Sequence, residues 1–171
     1  MEKNYKNEIN KSHIISTIAG IFVVAQFILI FFFSIKGIFI LKILGYILWG
    51  LTIILGWLPI YTFKKYGGVE KGKSYVKTNK LVTNGIYSII RHPQFLAFPL
   101  MNIALMMISQ HWIILLLGFP GVVLSYLSTV GTDKYCIEKF GNEYKEYMKK
   151  VPGMNILIGL WRLLKRRLNG E

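Results

Sequence analysis

Arg91, His92 and Pro93 lie side by side just before a long apolar run, in the stretch GIYSIIRHPQF at residues 85–95. An unpaired charge in hydrocarbon costs roughly 3 kcal/mol, so we expect an anionic partner or water beside Arg91. Pro93 disfavours the helical conformation of His92, which predicts a bend that directs both side chains toward a shared cavity. An arginine in such a bend could orient an anionic ligand, or it could pair with a lipid phosphate in a basic collar at the membrane surface. The residues alone leave both interpretations open.

Other arrangements of reactive side chains are not suggested by the sequence. The three histidines, His13, His92 and His111, lie in different contexts, and the eight acidic residues offer no paired carboxylates. Cys136 is the only cysteine, so no intramolecular disulfide can form and no Cys/His cluster indicates a metal site. We therefore expect neither hydrolytic nor metal chemistry.

The composition is that of a membrane protein with basic flanks. Of the 171 residues, 53% are hydrophobic, and 21 Lys and Arg against 8 Asp and Glu give a formal net charge of +13. In a soluble nucleic-acid-binding protein the basic residues would be set among polar ones, whereas here they flank apolar runs. We expect this charge to face lipid headgroups, and we expect no nucleic-acid partner.

Four apolar segments predict an all-α integral membrane protein, with the whole chain forming a single membrane domain. Residues 14–33 carry no charge and are long enough to cross about 30 Å of hydrocarbon, and we expect them to be retained and not cleaved as a signal peptide. Together with residues 38–63 they form a first hairpin. Residues 94–130 form a second hairpin, which turns at residues 109–112 and whose short first arm carries Pro99.

Residues 64–93 form the loop between the hairpins, and its basic, glycine-bearing stretch 64–84 has no sustained apolar period. Four crossings place this loop, the N-terminus and the C-terminal tail on one side of the membrane. That side then holds nearly every Lys and Arg. The positive-inside rule therefore predicts a multi-pass protein whose N- and C-termini are both cytoplasmic.

Residues 132–171 are expected to form cytosolic amphipathic helices at the membrane interface. Apolar residues recur at helical spacing from Cys136 to Met148, and Thr132 and Asp133 are suited to begin that helix as its N-cap and as an acidic residue at its positive end. The tail beyond residue 152 combines a Leu/Ile/Trp face with four cations, which predicts a helix lying on an anionic membrane surface. These cations are Arg162, Lys165, Arg166 and Arg167.

Two motifs that flank the second hairpin resemble those of a known family. The stretches LVTNGIYSIIRHPQFLAF and DKYCIEKFGNEYKEYMKKVP resemble the patterns G-x-Y-x-x-x-R-H-P-x-Y-x-G and F-G-x-x-Y-x-x-Y-x-x-x-V-P of the isoprenylcysteine carboxyl methyltransferase and phospholipid methyltransferase superfamily. The resemblance covers residues 81–152, nearly half the chain. It implies an integral membrane methyltransferase that binds S-adenosyl-L-methionine at the cytosolic face and takes a lipophilic acceptor from the bilayer.

The resemblance also implies roles for individual residues. It assigns cofactor binding to a set that spans both motifs: Leu81, Gly85, Tyr87, His92, Pro93, Asp133 and Tyr144. Arg91 would be the catalytic residue, because it would hold the polar end of the acceptor near the methyl donor, and Phe95 and Lys150 would also contact the acceptor. The acidic pair of the family falls on Thr132 and Asp133, so only Asp133 keeps a carboxylate.

Methyl transfer of this kind needs alignment more than it needs a reactive side chain. The acceptor would be an isoprenylcysteine-type carboxylate, a thiol or a phospholipid headgroup, and the protein would align it with the donor and exclude water. An amine acceptor would also need a base, for which Asp133 and Tyr87 are poor choices. The chemistry therefore favours an acidic or thiol acceptor.

Two alternatives belong to other classes of protein. The run D-x-x-C-x-x-K-F-G-x-x-Y at residues 133–144 also resembles sterol reductases, which would imply NADPH. A non-enzymatic scaffold or small transporter would place polar residues in the middle of spans. Only Gln26, Thr52 and Asn102 lie there, none of them is charged, and isolated polar residues of this kind more often serve helix packing.

Overall fold

The computed structural model of the protein describes residues 2–68 and 80–170, with side chains described from residue 10 onward. This part of the chain is built from helices, with no β-strand, which confirms the predicted all-α class. The helices are α1 (Glu2–Leu29), α2 (Phe39–Tyr66), α3 (Pro93–Ser109), α4 (Trp112–Phe140), α5 (Asn142–Lys150) and α6 (Ile156–Leu168), with one 3₁₀ turn at Gly85–Ser88. Within the predicted loop 64–93, residues 69–79 lie outside the described residues.

Three helices of the described chain are long and apolar enough to cross a membrane: the Asn10–Leu29 part of α1, all of α2, and α4. At 17 residues α3 reaches about 25 Å, which is less than the roughly 30 Å of a hydrocarbon core. Large apolar side chains such as Ile47, Trp57 and Phe119 are mostly exposed, as expected for groups that face lipid tails. The chain is therefore an all-α membrane protein with three full-length spans and one shorter apolar helix.

The chain divides into two compact units, each of which is formed by two separate segments. The first unit consists of Met1–Leu55 and Phe95–Tyr135, and the second consists of Gly56–Gln94 and Cys136–Glu171. The first unit holds α1 and most of α2, α3 and α4. The second holds α5, α6 and nearly all residues of the two motifs.

Small residues on one face of α4 allow close helix packing in the first unit. A side chain at Gly118 would collide with Gln26, and one at Gly121 would collide with Asn102. Gln26 is fully buried and donates from Nε2 to the carbonyl oxygen of Ile114 at 2.8 Å. These mid-span polar side chains pack against glycines of a neighbouring helix, which is the role that small residues commonly serve between membrane helices.

The two turns between helices of the first unit are bound to each other. The side chain of Gln110 accepts a hydrogen bond from the Ile38 N–H at 2.7 Å and donates one to the Ile38 carbonyl at 2.8 Å. Ser109 Oγ also donates to the Phe33 carbonyl at 2.5 Å. The α1–α2 turn and the α3–α4 turn therefore lie at the same end of this unit, as two side-by-side hairpins require.

The expectation that a new helix begins at Thr132 is wrong, because α4 continues without a break to Phe140. The Thr132 hydroxyl bonds to the Ser128 carbonyl one turn earlier, at 3.2 Å, and so behaves as an interior helical residue. The break comes instead at Gly141, whose φ of +58° suits glycine and ends the helix. Asp133 consequently lies within a helix and not at a positive helix end.

Candidate functional site

Within the second unit, the first motif forms a 3₁₀ turn at Gly85–Ser88 and then a bend at Arg91. Gly85 begins the turn with a φ of +61°, and a side chain there would approach Thr62 to 3.1 Å, so both backbone conformation and space favour glycine. Tyr87 is buried, with its ring centroid 4.8 Å from that of Phe63 on α2. Ile90 has no exposed surface. These contacts fix the chain immediately before Arg91.

The second motif supplies a short helix with a buried aromatic face. Tyr144 and Tyr147 on α5 lie three residues apart, so they project from the same side of the helix, and their rings meet edge to face at 5.8 Å. With Val151 they form a buried cluster in the second unit. Partly buried apolar side chains pack against it: Leu81, Cys136, Ile137, Phe140 and Met148.

Backbone hydrogen bonds join the two motifs directly. The Arg91 N–H donates to the Pro152 carbonyl at 3.0 Å, and the His92 N–H donates to the Gly153 carbonyl at 3.0 Å. The Tyr147 hydroxyl donates to the Tyr87 carbonyl at 2.5 Å, across 60 residues of sequence. Two motifs that are far apart in the chain therefore form one structural element.

The side chain of Arg91 lies against the aromatic face of α5. Its guanidinium carbon is 5.8 Å from the centre of the Tyr144 ring, a distance at which the ring face attracts the cation. Gly153 lies beside this side chain, and a Cβ there would be in ordinary van der Waals contact with Arg91 Nη2, at 3.4 Å. His92 is 5% exposed and lies beside the same glycine. The bend predicted at His92 thus places Arg91 and His92 next to the end of the second motif.

Helix α6 is fastened to the first motif and to α5. Asn155 caps it by accepting a hydrogen bond from the Ile158 N–H at 3.0 Å. Gly159 is buried directly against the Ile89 carbonyl, where a Cβ would collide with the backbone. Arg166 Nη2 donates to the Ser88 carbonyl at 2.8 Å. The packed side of α6 therefore holds one arginine against the segment that precedes Arg91.

A cavity of about 500 Å³ opens between the first motif, α5 and α6. Its apolar lining comes from Leu81, Tyr147 and Val151, and its polar lining from Thr83, Glu143, Glu146, Lys150 and Arg166. Sites for small molecules commonly have volumes of roughly 300–1,000 Å³ and combine apolar walls with a few polar groups. The cavity is lined by two carboxylates and two cations, so it suits a ligand that carries both a positive and a negative group.

Lys149 stabilises the negative charge of Glu146. Lys149 Nζ donates to Glu146 Oε1 at 2.6 Å, and this hydrogen bond, followed by the charge of Lys149, lowers the pKa of the carboxyl. Glu146 is therefore ionised at neutral pH.

No group of three His, Cys, Asp or Glu suited to a metal occurs in the part of the chain that the structure describes.

The residues implied by the family resemblance fall into three groups. Leu81 and Lys150 line the cavity. A second group surrounds the junction of the two motifs and belongs to the same unit: Gly85, Tyr87, Arg91, His92, Pro93 and Tyr144. Phe95 and Asp133 belong to the first unit.

Sequence reasoning missed four residues of this region. Tyr147 was recognised only as part of an apolar face, although it repeats the position of Tyr144 one turn later. Glu143 and Glu146 share a face of α5 with Lys150, a spacing that was visible in the sequence. Arg166 was predicted only as one of the cations of a membrane-surface helix, because its contact with Ser88 depends on how α6 packs.

Comparison with known proteins agrees with the resemblance found in the motifs. Residues 40–143 match the family described as phospholipid methyltransferase. A protein-S-isoprenylcysteine O-methyltransferase of Schizosaccharomyces pombe is 32% identical over an aligned length of 112, which covers 59% of this chain and 47% of that protein. A protein of the same name from Dictyostelium discoideum is 34% identical over 73 residues, 42% of this chain and 30% of its own.

The chain spans at most about half the length of these relatives. No solved structure matches it. The family match, by contrast, covers more than half of the chain and includes both the first motif and the start of the second. The chain therefore belongs to the phospholipid methyltransferase family.

Proposed function

We propose that the protein is a membrane methyltransferase that uses S-adenosyl-L-methionine and acts on a lipophilic acceptor. The observation that carries this proposal is the junction of the two family motifs. The backbone N–H groups of Arg91 and His92 donate to the carbonyls of Pro152 and Gly153, beside a cavity with charges of both signs. Family membership and the apolar helices support it further.

The cavity suits S-adenosyl-L-methionine in size and charge. Its volume of about 500 Å³ is in the range of small-molecule sites, and its carboxylates and cations complement a ligand with ammonium, sulfonium and carboxylate groups. Leu81 and Val151 would cover apolar parts of the nucleoside, and Glu143 and Glu146 would favour the positive groups. When bound, the cofactor would supply an electrophilic methyl group for transfer to an anionic oxygen or sulfur of the acceptor, with the thioether S-adenosylhomocysteine as the leaving group.

Arg91 is proposed to orient the acceptor. A planar guanidinium pairs with a carboxylate through two parallel hydrogen bonds, and contact with the Tyr144 ring limits how far the Arg91 side chain can turn. Phe95 and Lys150 are proposed to contact the acceptor as well. Attack by an already ionised carboxylate needs no base, so the chain has to supply alignment and exclusion of water.

The acceptor class that we favour is an isoprenylcysteine-type carboxylate. The two relatives are named protein-S-isoprenylcysteine O-methyltransferases, and such an acceptor has the anionic end that an arginine can orient. A thiol or a phospholipid headgroup is the competing acceptor. We place the N-terminus, the 64–93 loop and the C-terminal helices on the cytoplasmic side, because the basic residues concentrate there.

A methyl-transfer assay tests this proposal. The detergent-purified protein is incubated with S-adenosylmethionine labelled in its methyl group and with N-acetyl-S-farnesylcysteine. The matched acceptors are the farnesylcysteine amide, whose carboxyl is blocked, and a phosphatidylethanolamine vesicle. We expect base-labile label in the free acid and none in the amide. Label in the phospholipid alone would replace the proposed acceptor, and no label in any of them would contradict the function.

A further inference from the structure

The two cations that line the cavity, Lys150 and Arg166, differ in how firmly they are positioned. Lys150 lies at the exposed end of α5, where its flexible side chain can reach many positions. Arg166 is half-buried and comes from α6, a helix that lies beyond both family motifs. Arg166 is thus held in place more firmly than Lys150, although the family resemblance assigns no role to Arg166.

Arg166 is oriented by backbone carbonyls. Its Nη2 donates to Ser88 at 2.8 Å, and its Nε donates to Arg162 one turn earlier at 3.4 Å. Close packing of Gly159 on the Ile89 carbonyl fixes the helix that carries it. A guanidinium has five N–H donors in a planar fork, so donors remain for a ligand after these two bonds. Among the described residues, none accepts a hydrogen bond from Nη1.

The opposite charge comes from α5. Glu143 and Glu146 are three residues apart on one face, and both line the cavity with Arg166. Glu146 already pairs with Lys149, whereas Glu143 stands in the first turn of the helix. An arginine and a carboxylate across one cavity match the carboxylate and the ammonium of an amino-acid group.

We propose that Arg166 binds the carboxylate, and Glu143 the ammonium, of the amino-acid end of the ligand in this cavity. This inference rests on the proposed function, since S-adenosylmethionine carries such an end, and it adds a specificity-determining residue outside both motifs. Arg166 and Glu143 select ligands that keep the amino-acid group. They leave recognition of the nucleoside to the other walls of the cavity.

The test compares two ligands that differ only in this group. S-adenosylhomocysteine and 5′-methylthioadenosine share the nucleoside and the thioether, but the second lacks the amino acid. Isothermal titration of the full-length protein in detergent gives the affinity for each. We expect wild type to bind S-adenosylhomocysteine at least about tenfold more tightly. We expect Arg166→Gln to remove most of this preference and to leave 5′-methylthioadenosine binding within twofold.

The controls use neighbours with the same charge. Arg167→Gln makes the same charge change at an exposed residue that does not line the cavity, and it should keep the full preference. Glu143→Gln should reduce the preference severalfold, whereas Glu138→Gln, on the exposed surface of α4, should not. Because Glu143 is exposed, its substitution tests the proposal even if Arg166→Gln disturbs folding.

Each outcome has a distinct meaning. If Arg166→Gln or Glu143→Gln weakens both ligands equally, or neither, the inference is overturned while the proposed function stands. If wild type binds the two ligands equally well, the cavity does not recognise the amino acid, and the inference is overturned again. If wild type binds neither ligand, the proposed function itself fails, and the inference fails with it.

Discussion

At the scale of single residues, Arg91 is a cation held between an aromatic ring and a bend in the backbone. Its contact with Tyr144 and the backbone bond to Pro152 set its position. The sequence predicted a bend that directs Arg91 and His92 toward a shared cavity, because Pro93 restricts the residue before it. Neither side chain lines the cavity between the first motif, α5 and α6. The sequence could not predict which ring would receive the guanidinium, since that depends on contacts between residues more than fifty positions apart.

Replacing Arg91 should separate turnover from cofactor binding. For Arg91→Ala we expect turnover to fall by at least about 100-fold, because the acceptor loses its alignment, while S-adenosylhomocysteine affinity changes only a few fold. Arg91→Lys is the control that keeps the charge but loses the planar fork, and it should recover only part of the activity. Loss of cofactor affinity with normal acceptor binding would contradict this role.

The Tyr147 hydroxyl should matter for stability. It is buried and donates to the Tyr87 carbonyl at 2.5 Å, so Tyr147→Phe removes this hydrogen bond. We expect a loss of about 1–3 kcal/mol in the free energy of unfolding, measured by denaturant titration in detergent. Tyr126→Phe alters an exposed ring and should change this value by less than about 0.5 kcal/mol. If Tyr147→Phe and Tyr126→Phe changed the free energy of unfolding by the same amount, the hydrogen bond from Tyr147 would not contribute to stability as we expect.

At the scale of elements, the apolar runs predicted the helices well and their ends less well. The predicted spans 14–33 and 38–63 correspond to α1 and α2, because a long uncharged run satisfies its backbone best as a helix. The boundary expected at Thr132 was wrong, since a threonine can bond to the carbonyl one turn earlier and remain inside a helix. Gly141, with its positive φ, was the stronger signal for a break.

Close packing of α6 on the first motif can be tested at Gly159. An added methyl group would collide with the Ile89 carbonyl, so Gly159→Ala should destabilise the protein by about 1–3 kcal/mol and make α6 more sensitive to proteolysis. Gly20→Ala on α1 is the matched control, because a Cβ there meets nothing within 4 Å, and it should be neutral or stabilising. Unchanged proteolysis in Gly159→Ala would show that α6 does not pack as described.

The outer face of α6 has the properties of a membrane-surface helix. Leu157, Trp161, Leu164 and Leu168 recur at spacings of four, three and four, so they lie on one face, and all are more than half exposed. Lys165 and Arg167 flank this stripe. We expect Trp161, in a variant without the other three tryptophans, to be quenched by brominated lipids in anionic vesicles. Quenching by aqueous acrylamide instead would contradict this placement.

At the scale of the whole molecule, the sequence predicted an all-α membrane protein and its family, because both depend on local patterns. Runs of apolar residues identify spans, and the two motifs identify the family. The paired hydrogen bonds join the two motifs, since each motif supplies half of one junction. The charged cavity was not predicted, because it combines side chains from α5 and α6 with residues at the start of the first motif.

If the motif junction and its cavity belong to a methyltransferase, the protein binds a methyl-donor cofactor and not a nicotinamide cofactor. Isothermal titration compares S-adenosylhomocysteine with NADPH on the detergent-purified protein. We predict micromolar binding of S-adenosylhomocysteine and no binding of NADPH. Binding of NADPH alone would indicate a reductase and contradict the claim, and binding of neither would leave Arg91 and His92 as a basic collar at the membrane surface.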